Sequence, residues 1–162
     1  MMNKSFLSDE GRSYIPIYIK PHDETVLSPV RFKVDTGADL TTISKQTLKQ
    51  LGYSPDWIDK NAVESASQTI TRAGGHPHSA CFIQISIANI LGRELMNWPF
   101  YIRREHHLDY PNLLGLNLLS YFDFRFNYSD WTFEIAHISK PKIIFTMLPN
   151  QSIHELAQSL NL

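Results

Sequence analysis

The sequence predicts a mainly β domain with short helices and one helix at the C-terminus. Two observations predict the strands: apolar and polar residues alternate through most of the chain, and turn-forming residues cut these runs into short pieces. The third concerns the end of the chain, where Ser152 and Glu155 form a capping-box pattern and Ile153, Leu156, Ala157 and Leu160 fall at helical spacing. At 162 residues and 43% hydrophobic composition, the chain can bury one core and fits a single domain.

Each element follows from its residues. Residues 14–20 set Ile15, Ile17 and Ile19 against Tyr14, Pro16 and Tyr18, the two-residue period of a strand, with Pro16 favouring a sheet edge. The turn-like Pro21-His22-Asp23-Glu24 follows, and Val30, Phe32 and Val34 resume the alternation, so a hairpin delivers the chain to Asp35. Ser44 can cap a short helix over residues 45–51, with Leu48 and Leu51 on one face and Gly52 ending it; Ser54-Pro55-Asp56 then breaks the pattern. Residues 64–87 read as two strands joined by a turn at Ala73-Gly74-Gly75-His76-Pro77. Trp98, Phe100 and Ile102 continue the β pattern, and residues 112–120 form an apolar run around Gly115. Residues 122–126 and 131–135 read as a last hairpin, with Asn127-Tyr128-Ser129-Asp130 as its turn.

Charge excludes several functions. Fifteen basic and sixteen acidic residues leave a net charge of -1, so no nucleic acid or membrane partner is expected. The lone Cys81 cannot form an internal disulfide, and residues 1–10 lack the apolar core of a secretory signal, so the expected setting is cytoplasmic. His76, His78, His106 and His107 match no zinc spacing, and Cys81 reads as a strand residue, so neither metal nor cofactor is expected.

The chemistry concentrates in Val34-Asp35-Thr36-Gly37-Ala38-Asp39. A carboxylate at the end of an apolar strand leaves the sheet for a tight turn, where Gly37 permits close approach of the backbone and the Thr36 hydroxyl can fix geometry. The plain alternative is a turn aspartate that caps its own backbone. Further along, the apolar-apolar-glycine run Leu113-Leu114-Gly115 is followed by Leu116-Asn117-Leu118-Leu119 and an aromatic hairpin, a second candidate signature.

Residues 30–52 together with this second signature resemble the retropepsin-like aspartic proteases, in their cellular and bacterial branch, over roughly residues 12–137. The resemblance implies a single-lobed, closed β-barrel-like acid protease fold. It implies Asp35 as the catalytic aspartate, with Thr36, Gly37 and Gly115 in support and a side chain at position 115 colliding with the Asp35 turn. Ala38 and Asp39 would meet the substrate backbone, as would Gly74 and Gly75 in a flap. Retroviral members often carry a further acid after Asp39, where this chain has Leu40.

The implied organisation is an N-terminal tail over residues 1–11, a protease domain over 12–140, and a C-terminal strand and helix over 141–162. That last piece would belong to the same domain or to a dimer interface. Aspartic peptidases use two carboxylates that share one proton, and the chain has a single Asp-Thr-Gly. The expected function is therefore an aspartic endopeptidase that cleaves protein or peptide substrates as a homodimer, with Asp35 from each chain. The alternatives are a catalytically silent dimerisation or protein-binding module and, more remotely, a β-barrel ligand binder.

Overall fold

The computed structural model describes residues 3–23, 27–70, 78–103 and 110–137. The turn holding Gly74 and Gly75 and the C-terminal strand and helix lie outside the described residues, as do His76, His106 and His107.

Strands β2 (Tyr14–Ile19) and β3 (Pro29–Val34) form the antiparallel pair that the alternation predicts, burying Ile15, Ile17, Ile19, Phe32 and Val34 on one side. Strand β2 is not an edge. It lies between β3 and β5 in a six-stranded sheet of order β4-β5-β2-β3-β7, with β6 paired to β5. Pro16 is tolerated because β5 pairs only with Tyr18 and Ile19, so no ladder on that side asks Pro16 for an N–H.

Helix α1 (Lys45–Gln50) starts where Ser44 accepts a hydrogen bond from the Thr47 amide at 3.0 Å, and Gly52 follows it with φ +87°. The residues read as a break begin a second helix, α2 (Pro55–Asn61). Ser54 caps it by accepting from the Trp57 amide, and Pro55 occupies the first turn, where its missing N–H costs nothing. Tyr53, between the helices, lies against the His22 and Trp57 rings and donates to the Lys20 carbonyl at 2.8 Å. Burial raises its phenol above the ordinary 10.0.

Strands β4 (Val63–Ile70), β5 (His78–Ile90) and β6 (Arg93–Ile102) form the wide part of the sheet. The β5–β6 turn consists of Leu91 and Gly92, both at positive φ, which is the twist a two-residue hairpin requires. Buried Ile83, Ile87, Phe100 and Ile102 join Phe32, Ile43, Leu48 and Ile58 in the core.

Strand β7 (Leu113–Leu114) pairs in parallel with the end of β3, Lys33 opposite Leu113 and Val34 opposite Leu114, and leads into helix α3 (Leu116–Leu119). Strands β8 (Phe122–Asn127) and β9 (Thr132–His137) make the aromatic hairpin. Asn127 organises its turn by accepting from the Ser129 and Asp130 amides.

Two further expectations are corrected. Residues 3–6 are not a tail but strand β1 (Asn3–Phe6), paired antiparallel with β9. This pairing uses backbone groups, so the side chains carried no strand pattern; Leu7, just beyond, is buried. Nor does a closed barrel form among the described residues. They form a six-stranded sheet and a separate three-stranded sheet of order β1-β9-β8. Strand β7 is too short to carry a ladder onward, because the chain turns into α3 at Gly115.

Candidate active site

Asp35 is the first residue beyond β3, and its amide still donates to the Leu114 carbonyl at 3.1 Å. Its Oδ1 accepts from the Gly37 amide at 3.0 Å, and its carbonyl accepts from the Ala38 amide at 3.2 Å. The turn is thus closed by both side chain and main chain. The other oxygen, Oδ2, lies 3.7 Å from Lys33 Nζ, and the Asp35 side chain is 30% exposed. A Cβ at position 37 would come within 3.3 Å of Asp35 Oδ1, so glycine there leaves room for the carboxylate.

Beyond the turn, the chain threads between β6 and β7. The Tyr101 amide donates to the Thr41 carbonyl at 2.9 Å and the Ile43 amide to the Tyr101 carbonyl at 3.1 Å. On the other side, Thr42 and Leu113 exchange backbone hydrogen bonds of 2.9 and 3.1 Å. The Leu116 amide donates to the Ala38 carbonyl at 2.8 Å, and the Asn117 amide to the Asp39 carbonyl at 3.0 Å. The loop after the aspartate is therefore tied along its length to the start of α3.

One polar side chain centres this crossing. Asn117 Oδ1 accepts from both the amide and the hydroxyl of Thr41, at 2.8 and 2.7 Å, while the Gly115 amide donates to the same hydroxyl at 3.1 Å. Thr41 is fully buried. Asn112 does similar work nearby, with its Oδ1 accepting from the Ser44 amide at 2.8 Å.

Gly115 is where the segments touch. A Cβ there would lie 2.4 Å from the Leu40 carbonyl carbon and 2.8 Å from the Thr41 nitrogen, which no rotamer change could relieve. Glycine is required, as expected, but the group it makes room for is the Leu40–Thr41 peptide rather than the Asp35 turn. The crossing lies a few residues downstream of the aspartate and supports it from below.

The structure places Asp35, Thr36, Gly37, Ala38 and Asp39 together on one loop and Gly115 beneath it. Thr36, Gly37 and Asp39 are exposed. Sequence reasoning missed Thr41, Asn117 and Lys33. Asn117 left a faint trace as the lone polar residue within Leu116-Asn117-Leu118-Leu119, and Lys33 as a cation on the outward-facing row of the strand that ends in Asp35. Cys81 is buried in β5, as read from its surroundings. Among the described residues, no group of three His, Cys, Asp or Glu side chains is arranged to hold a metal ion.

The family model described as "gag-polyprotein putative aspartyl protease" matches residues 27–121, more than half of the chain and inclusive of both the Asp35 loop and the Gly115 crossing. Among solved structures, the chain is similar to a retropepsin-like aspartic protease from Rickettsia conorii, with 23% identity and a TM-score of 0.59, covering 83% of this chain and 89% of that one. It is also similar to the EIAV protease in complex with the inhibitor HBY-793, with 17% identity and a TM-score of 0.48, covering 71% and 91%. A third similar structure is the retroviral protease-like domain of Ddi1 from Leishmania major, with 15% identity and a TM-score of 0.45, covering 80% and 96%. No curated protein matches the chain. The match through both the aspartate loop and the glycine crossing identifies this chain as a member of the retropepsin-like aspartic protease family.

Proposed function

We propose that the chain is an aspartic endopeptidase that cleaves protein or peptide substrates as a homodimer, with Asp35 of each copy at the two-fold axis. The observation that carries this reading is the Asp35 loop. One carboxylate oxygen is held by its own turn, the other lies 3.7 Å from Lys33 Nζ on a side chain 30% exposed, and the segment behind is fixed to β6, β7 and α3.

Two carboxylates brought to about 3 Å cannot both ionise and share a proton. The ionised member takes a proton from a water placed between them, and that water attacks the scissile carbonyl. The protonated member donates to the carbonyl oxygen, so charge does not build up on it. The carboxyl that took the water's proton then gives it to the amide nitrogen while the other carboxylate takes a proton from the gem-diol, and the C–N bond breaks to release an amine and a carboxylic acid. In this reading Thr36 bonds across the axis, while Ala38 and Asp39 meet the substrate backbone. Gly74 and Gly75 are assigned to the flap. The reading includes a cytoplasmic setting, supported by the free and buried Cys81.

A second reading has one observation in its favour. In the single chain, Asp35 is already satisfied by the Gly37 amide with Lys33 close by, as a turn aspartate in a silent protein-binding module would be. Incubating a denatured protein mixture with the purified chain and with Asp35→Asn, at about pH 4 to 7, separates the two. Mass spectrometry should find new cleavage sites with the wild type alone. A stable dimer that cuts nothing would favour the silent module.

A further inference from the structure

Strand β3 divides its side chains cleanly: Phe32 and Val34 are buried, while Arg31 and Lys33 point to the other face, the one Asp35 continues. Residues two apart on a strand are about 6.6 Å apart along it, so the face carries a row of two cations leading to the carboxylate. The neighbouring strand adds no acid opposite them. Lys33 lies across from Tyr14 and Arg31 across from Pro16.

The two cations are engaged differently. The Arg31 guanidinium carbon sits 4.1 Å from the centre of the Tyr14 ring. Lys33 Nζ is 3.7 Å from Asp35 Oδ2, too long for a hydrogen bond, with its side chain 26% exposed. A lysine held by Coulomb attraction alone can turn to another acceptor without giving up a formed hydrogen bond. Any group that reaches Asp35 Oδ2 arrives within reach of this ammonium.

Resting on the aspartic peptidase reading, we propose that Lys33 is a specificity-determining residue that selects substrates with an acidic side chain next to the scissile bond. In the working state, the pair of Asp35 carboxylates carries one negative charge between them because they share a proton. Each copy brings a Lys33, so the carboxylates leave positive charge at the scissile bond uncompensated. The other acid of the loop, Asp39, is exposed further along it. A glutamate or aspartate beside the cleaved bond supplies the missing charge, whereas a lysine there is repelled. Arg31 extends the preference to an acid further along the peptide, more weakly because its cation is already over a ring.

The test uses three synthetic peptides, each built around a cleavage site found in the denatured mixture and identical except for Glu, Gln or Lys at the flanking position. The full-length wild type should cleave the Glu peptide about threefold to fivefold faster in kcat/KM than the Gln peptide, with Lys slowest, and added salt should narrow the spread. Lys33→Met should level the three, and Lys33→Glu should reverse their order. Equal cleavage of all three by the wild type, or an unchanged Glu preference in a folded Lys33→Met variant, overturns the role of Lys33 and leaves the peptidase reading intact. Failure of the wild type to cut the mixture at all overturns both.

Discussion

The turn that carries the carboxylate and the crossing beneath it are built on opposite principles. Thr36 and Gly37 face solvent, and the turn is closed by Asp35 itself. A few residues on, Thr41 is fully buried, and its amide and hydroxyl are both satisfied by a side chain 76 positions further along the sequence. In the proposed function, chemistry sits on the exposed part and geometry comes from the buried part. Substitutions in the turn should therefore change activity and spare the fold, whereas substitutions in the crossing should do the reverse at first and lose activity as a consequence.

The largest expected effect is at the turn. Asp35→Asn retains an oxygen to accept from the Gly37 amide but cannot share a proton or activate water. Peptide cleavage should fall by about a thousandfold or more, with the thermal midpoint nearly unchanged. A marked loss of stability would place Asp35 in the scaffold instead.

Gly115→Ala comes next and should show the opposite profile. The added carbon meets the Leu40 carbonyl carbon at 2.4 Å, and backbone on both sides has to move. A loss of about 3 kcal/mol in urea unfolding is expected; a variant as stable as the wild type would contradict the close crossing.

Asn117→Ala leaves two donors of a buried threonine without their acceptor, which should cost about 2 kcal/mol. Asn117→Asp retains the accepting oxygen and should recover part of the loss. Equal damage from both variants would mean that the amide matters through something other than Thr41.

The smallest effect lies away from the site. Tyr53→Phe removes the hydrogen bond to Lys20 and should cost about 1 kcal/mol at neutral pH. Burial raises this phenol in the folded chain, so folding favours its neutral form. That contribution is complete below the ordinary value of 10.0 and is lost as pH rises through the higher folded value. The gap between wild type and variant should accordingly narrow in alkaline urea melts. Tyr121 is raised in the same way, so some alkaline sensitivity should persist in the variant.

The same contrast explains what was legible in the sequence. The turn could be read because its residues are contiguous and each has a local reason: Asp35 ends an alternating strand, and Gly37 makes room for the carboxylate. Helix α1 was legible from Ser44 and Gly52, and the last hairpin from Asn127. Thr41 and Asn117 are separated by 76 positions, and nothing local to either marks it as the other's partner. For the same reason, Gly115 was foreseen as a close approach while the peptide it accommodates was not. Pro55 was read as a break because the same residue suits both a turn and the first turn of a helix. Strand β1 pairs through its backbone, which leaves no side-chain signature.

The central claim is that one active site needs Asp35 from two copies, and mixing tests it most directly. Wild type and Asp35→Asn chains are unfolded together, refolded at set ratios with total chain constant, and assayed on a peptide that the wild type cleaves. If both aspartates are required, activity follows the square of the wild-type fraction, so an equal mixture retains about a quarter of full activity. Activity in linear proportion to the wild-type fraction, about a half in the equal mixture, would mean that each chain acts alone and would contradict the account.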